Sequence, residues 1–174
     1  DIDDNPVCLD KDEKRSIAGT FNDIRVINFY VVNGQALDSD KYLHKLKWLK
    51  KAEKYIKEQL DKYPKVVVVG DFNIVPNEKD AYDFSSKNIL CSAKEREALH
   101  SIINLGLIDT FTSVKDETPY TWWDYRGGAF HRDIGYRIDL ILASKDLYKN
   151  LEKYEVHKVT RHKSWCESQP KTSD

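Results

Sequence analysis

Apolar and polar positions along the chain divide it into short strands and longer amphipathic stretches. Residues 16–21 (Ser-Ile-Ala-Gly-Thr-Phe) and 24–30 (Ile-Arg-Val-Ile-Asn-Phe-Tyr) read as two strands joined by the short turn Asn22-Asp23, which predicts a hairpin. Over 41–60 the apolar residues Tyr42, Leu46, Leu49, Ala52, Ile56 and Leu60 recur at three- and four-residue steps, with Lys45, Lys50, Lys54 and Glu58 between them. That spacing predicts an amphipathic helix, capped by Asp38 or Ser39 and followed by Pro64. The four valines 66–69 are β-branched without polar alternation, the pattern of a strand covered on both faces. Ser92-Ala93-Lys94-Glu95 is a capping box that opens a second helix, whose apolar face is Leu99, Ile102 and Ile103 and whose stop is Gly106. Further strands are expected at 107–111, 120–123 and 137–142. In the last of these Ile138, Leu140 and Leu142 share one face and leave Asp139 on the other. Interspersed helices and buried strands mean an α/β fold, and the absence of repeats or linkers predicts a single domain over 1–174.

Charge and composition narrow the picture. The 174 residues carry 28 Lys plus Arg against 29 Asp plus Glu, so the global basic excess of a simple phosphate binder is missing and any nucleic-acid contact must be local. No apolar run approaches the ~18 residues of a membrane span, and a soluble, cytoplasmic monomer with no membrane partner is the expectation. Cys8, Cys91 and Cys166 are odd in number and widely spaced, so free thiols are expected. The chain opens on Asp1 and contains no Met, which is read as processing or as part of a longer gene product.

Four polar clusters lie at or just past strand ends: Tyr30 with Asn33, Asp71 with Asn73, Arg137 with Asp139, and Ser173 with Asp174. Taken alone, Asp71 reads first as a turn residue after a strand. Asp139 is harder to dismiss, because a carboxylate within an apolar strand needs an Arg, a His or a metal to meet it. Scattered Asp residues suit a hard divalent cation such as Mg²⁺, with Asn to hold a phosphate oxygen and Tyr to stabilise developing charge. No P-loop, nucleophile elbow or dinucleotide fingerprint is present, which removes support for kinases, serine hydrolases and nicotinamide enzymes. Tyr120-Thr121-Trp122-Trp123-Asp124-Tyr125-Arg126 concentrates aromatic rings beside a Gly127-Gly128 loop. With Phe130, Arg132, Tyr136 and Arg137 it forms a locally basic segment, three Arg against two Asp, suited to phosphate contact and stacking on bases. The five histidines show no metal-ligand spacing, and the Lys-rich face over 41–62 reads as a solvated helix surface.

Taken together, Tyr30-Val31-Val32-Asn33-Gly34-Gln35, Gly70-Asp71-Phe72-Asn73-Ile74, Glu95-Arg96, Gly106-Leu107-Ile108-Asp109-Thr110-Phe111, the Tyr120 to Arg126 motif and Arg137-Ile138-Asp139 run in one order along nearly the whole chain. In that order they resemble the exodeoxyribonuclease III and abasic-site (AP) endonuclease family of the exonuclease, endonuclease and phosphatase superfamily. The resemblance implies a four-layer α/β sandwich, two packed β-sheets flanked by helices, and Mg²⁺ as cofactor with Mn²⁺ as a substitute. It implies that Asp71 orients or deprotonates the attacking water, or ligates the metal. Asn73 and Asn33 would hold the scissile phosphate, Tyr30 would support its charge, Asp139 would orient a catalytic His, and Asp174 would lie near the metal. Trp122, Tyr136 and Ile138 match positions lining the pocket for an extruded abasic sugar, and Arg126 would lie near DNA. Val32 stands where the family usually has Pro. The family's opening strands, with an Asn and a metal-binding Glu, have no counterpart, and the chain stops at Asp174, one residue before the family's His. The resemblance therefore implies a domain incomplete at the N-terminus and cut short at both ends, roughly the C-terminal two-thirds of a member.

Three functions remain in view from the sequence. The first is a DNA phosphodiesterase of base-excision repair, cutting duplex DNA 5′ to abasic sites and removing nucleotides from 3′ ends. The second is a sibling phosphodiesterase acting on lipid or inositol phosphates. The third is an inactive remnant with weak DNA binding.

Overall fold

The computed structural model describes residues 1–113 and 120–161. Its centre is a six-stranded mixed sheet built from β1 (Ile2–Asp4), β2 (Ser16–Phe21), β3 (Ile24–Tyr30), β4 (Lys65–Asp71), β5 (Leu107–Asp109) and β8 (Asp139–Ser144), ordered β1-β2-β3-β4-β8-β5. β2 and β3 form the predicted hairpin, with Phe21 opposite Ile24 across the Asn22-Asp23 turn. β3 and β4 run parallel, as the long connection through helix α1 (Asp40–Lys62) requires, whereas β4 and β8 are antiparallel. A separate two-stranded ribbon pairs β6 (Trp122–Trp123) with β7 (Gly135–Tyr136).

Alternation along the strands decides where the core sits. Ile27 and Phe29 of β3, Val66 and Val68 of β4, and Leu140 and Leu142 of β8 face α1 and α2 (Ala93–Ile103), where they pack with Trp48, Leu49, Ala52, Ile56, Leu99 and Ile102. Val67 and Val69 are only half-buried, and Ile17 and Ile141 are exposed, so the run of valines is fully covered on its helical face alone. The other face is bordered in part by Trp123 and Tyr154.

Both helix starts follow the chemistry of their caps. Ser92 and Glu95 complete the reciprocal capping box of α2. Ser39, rather than Asp38, caps α1, its hydroxyl accepting from Tyr42 N at 3.1 Å. Ser39→Ala is therefore expected to lower stability by about 1 kcal/mol, read as a shift of the urea midpoint with unchanged slope. The strand expected at 107–111 is shorter than its sequence suggested: it ends at Asp109 and passes into a 3₁₀ turn, Thr110–Ser113. A short helix α3 (Lys145–Tyr148) follows β8. Among the described residues no helix is long and apolar enough to cross a membrane. Cys8 and Cys91 are free thiols; Cys166 lies outside the described residues.

Candidate active site

Three of the residues singled out by sequence meet because the strands are in register. Tyr30, the last residue of β3, pairs with Asp71, the last of β4, and Asp71 pairs with Asp139, the first of β8. All three lie at the same end of the sheet, on the face opposite the helices, since Phe29, Val68 and Leu140 point into the helical core. Residues separated by 41 and 68 positions are thereby brought to one edge.

The two loops leaving this edge carry the amides. Asn33 Nδ2 donates to Asn73 Oδ1 at 3.1 Å. Asn73 Nδ2 donates to Val31 O and to Asp71 Oδ2, each at 3.0 Å, while its backbone N–H donates to Asp71 Oδ1 at 2.8 Å. Both amide hydrogens of Asn73 are thus committed to holding Asp71 and the β3 loop, whereas Asn33 retains one for a ligand. Asn73 takes φ +49, a conformation Asn tolerates better than most residues. Gly70 has φ +128, and a Cβ there would sit 2.0 Å from Phe29 O, so the backbone entering the site admits only glycine.

Burial pushes the Asp71 carboxyl up to about 6 from 3.8; the Asn73 hydrogen bonds oppose this and the neighbouring Asp139 adds to it. Among the described residues no ion pair reaches Asp139, and no group of three or more His, Cys, Asp and Glu side chains forms a metal cage. Thr121 Oγ1 accepts from the backbone N–H of both Ile138 and Asp139, at 3.1 and 3.0 Å, which fixes the start of β8.

Beside this edge lies a groove of about 850 Å³, lined among others by Gln35, Trp122, Asp124, Arg126, Arg132 and Tyr136. The Trp122 and Tyr136 rings are 6.0 Å apart on adjacent strands of the ribbon. The Tyr136 hydroxyl donates to Asp83, and burial followed by this carboxylate raises the phenol above its ordinary range. Ile138 is buried behind the groove with Val75, Ala81 and Cys91. Tyr125 is almost fully exposed, so part of the aromatic segment does reach the surface, while Trp123 packs inside.

A family model described as "Endonuclease/Exonuclease/phosphatase family" matches residues 4–162. The chain belongs to this family. Among its relatives, an exodeoxyribonuclease of Bacillus subtilis is 32% identical over 144 residues, covering 80% of this chain and 56% of the relative. Among solved structures, a 3′-5′ exonuclease from Neisseria meningitidis superposes with a TM-score of 0.83 at 39% identity, covering 88% of this chain and 61% of that one. An AP endonuclease from Archaeoglobus fulgidus does so with a TM-score of 0.79 at 34% identity, with the same two coverages. The chain spans about half the length of the curated relatives it matches. Its fold is the α/β sandwich of these nucleases.

Placed in the family's fold, three sequence expectations change. Arg137 does not join Asp139, nor does it contribute to a basic surface. It is 1% exposed, donating to Asp80 at 3.0 Å through both Nε and Nη2 and to Asp109 at 3.2 and 2.9 Å, with Phe111 beneath its guanidinium. Arg126 is exposed but paired with Asp124, so the segment is less basic than three Arg against two Asp suggested. Lys45, placed among the solvated helix positions, is completely buried against Glu95. The signal was available: 42, 45, 49, 52 and 56 follow three- and four-residue steps that put Lys45 inside the apolar stripe. Asp174, expected near the metal, lies outside the described residues.

Proposed function

We propose that this chain is the catalytic part of a divalent-metal-dependent DNA phosphodiesterase of base-excision repair, acting on duplex DNA at abasic sites and at 3′ ends. The observation carrying it is the row Tyr30, Asp71 and Asp139 across three strands, with the spare amide hydrogen of Asn33 beside it. The names of the relatives, an exodeoxyribonuclease III of Haemophilus influenzae and the Archaeoglobus AP endonuclease among them, support the substrate class.

Two neighbouring carboxylates, one of them raised by burial and by the other, are a hard oxygen donor set that a divalent cation would relieve. Asp71 would hold Mg²⁺, or Mn²⁺ in its place, with Asp174 as the further ligand the sequence offers. When bound, the ion would neutralise the phosphate and the departing oxygen. The chain's own residues do the rest. Asp71, fixed by two hydrogen bonds from Asn73, one from its backbone N–H and one from its side-chain amide, accepts the proton of the attacking water. Asn33 donates to a non-bridging phosphate oxygen, and Tyr30, 55% exposed at the same edge, offers its hydroxyl to the developing charge. Asp139 is the acceptor that would orient a histidine. The Trp122 and Tyr136 rings receive an extruded sugar, and Arg126 lies near the DNA strand. A cytoplasmic, monomeric enzyme is part of the same proposal.

The test is hydrolysis of an end-labelled duplex carrying one abasic site. Chelation is expected to lower the rate by at least about 100-fold and Mg²⁺ to restore it. Raising salt from about 50 to 200 mM should weaken substrate binding by at least tenfold if several phosphates are contacted. Cleavage of an inositol phosphate ester but not of the duplex would overturn the reading.

A further inference from the structure

Directly beneath the site, and unused in the chemistry above, lies an ion pair sealed from solvent. The side chains of Lys45 on α1 and Glu95 on α2 are both 0% exposed. The three ammonium protons of Lys45 have three acceptors: Glu95 Oε1 at 2.5 Å, Asn73 O at 2.7 Å and Asn33 O at 3.2 Å. Glu95 is equally saturated. Its Oε1 also accepts from Leu90 N, and its Oε2 accepts from Ser92 N and Ser92 Oγ.

The choice of acceptors is informative. Apart from its counter-ion, Lys45 binds the main-chain carbonyls of the two asparagines of the site, one in the loop after β3 and one in the loop after β4. A methyl group at Gly34, next to Asn33, would stand 3.3 Å from Lys45 Cδ, so the stem of the lysine packs closely on the first loop as well. Stability alone does not call for charge here, because an apolar pair of similar volume commonly serves a buried position as well or better. What an apolar pair cannot do is bond two carbonyls from separate loops at once and fix their spacing. That spacing sets the Asn33 Nδ2 to Asn73 Oδ1 bond and, through Asn73, the orientation of Asp71.

We propose that Lys45 is a positioning residue, a buried cation that clamps the Asn33 and Asn73 loops together and so pre-aligns Asp71 with the phosphate-holding amide, with Glu95 as its fixed counter-ion. It touches neither substrate nor metal. The proposal rests on the reading of Asp71, Asn33 and Asn73 as the hydrolytic centre, and it assigns a role to the Glu95-Arg96 motif that the chemistry left unused.

Two measurements test it. In the unaltered protein, ¹⁵N-detected spectra should show a protected Lys45 ammonium with couplings across hydrogen bonds to the carbonyl carbons of both Asn33 and Asn73; a freely exchanging ammonium overturns the clamp. In the second, Lys45→Met combined with Glu95→Gln removes the charge while keeping volume, and Lys45→Arg keeps charge and donors. In variants whose circular dichroism and cooperative melting show a folded state, the double substitution should lower kcat by about 100-fold with KM within about threefold, as expected when alignment rather than binding is lost. Lys45→Arg should recover at least about tenfold of that loss. A folded double variant with kcat within about threefold of the unaltered protein overturns the proposal. If the unaltered protein cuts no DNA, the substrate reading fails instead, and the ammonium couplings still decide the clamp.

Discussion

Replacing Asp71 by Asn is expected to lower turnover by about 10³-fold while making the protein more stable at neutral pH. Under the proposed mechanism, the loss of activity comes from removing the carboxylate that takes the proton. The gain in stability follows from the electrostatics of the edge, where the Asp71 carboxyl is raised to about 6 from 3.8 by burial first and by Asp139 as well. A carboxyl whose pKa is higher folded than unfolded opposes folding when ionised. The penalty is absent below about pH 4, grows as pH rises from about 4 to about 6, and is full above that. The full difference corresponds to about 3 kcal/mol; allowing for solvent screening of a partly exposed group, a gain of about 1 kcal/mol is expected. The asparagine retains an oxygen to accept from Asn73 N, so the turn survives. Urea denaturation at pH 7.5 and at pH 3.5 checks this: a stabilisation at the higher pH that vanishes at the lower supports the assignment, and destabilisation at both contradicts it. Because protonated Asp71 cannot serve as a metal ligand, Mg²⁺ affinity of the unaltered protein should weaken below about pH 6, read by titration calorimetry.

Replacing Arg137 by Ala is expected to cost about 3–5 kcal/mol, the largest loss of stability among the substitutions considered. The guanidinium is the common partner of Asp80 and Asp109, which are themselves buried, and deleting it leaves two carboxylates facing each other in the interior. It also joins elements far apart in sequence: Asp80 follows β4, Asp109 ends β5, and Arg137 lies two residues before Asp139, the first residue of β8. Lys should not rescue it, because one ammonium cannot reproduce a fork that bonds two carboxylates at once. Thermal melting should show the loss. An Arg137→Ala protein that melts within a few degrees of the unaltered one would show that the pair is dispensable.

How much of this was legible beforehand depends on whether the controlling interaction is local. The β2-β3 hairpin, the Ser92 capping box and the stripe of α1 were readable because each is decided within a few residues. The order of Gly70-Asp71-Phe72-Asn73 and Arg137-Ile138-Asp139 pointed to a candidate site, but nothing local states that β4 and β8 pair antiparallel with Asp71 against Asp139. Arg137 was misplaced for the same reason: its partners lie 57 and 28 residues away. The half-covered state of Val67 and Val69 was likewise out of reach, since a run of valines reports how apolar a strand is and not what packs on either side of it. Lys45 is the exception, a residue whose burial the helical spacing did contain and which its charge argued against.

The alignment of Tyr30, Asp71 and Asp139 is made by hydrogen-bonded neighbours in one sheet rather than by side-chain contacts that could persist in a loosened chain. A slip of β8 by a single residue would turn Asp139 to the helical side and bring Leu140 beside Asp71. Enzymatic competence should therefore behave as an all-or-none readout of native pairing, vanishing along a denaturant titration together with the far-ultraviolet sheet signal. Expanded, compact intermediates would be catalytically silent even where the helices survive.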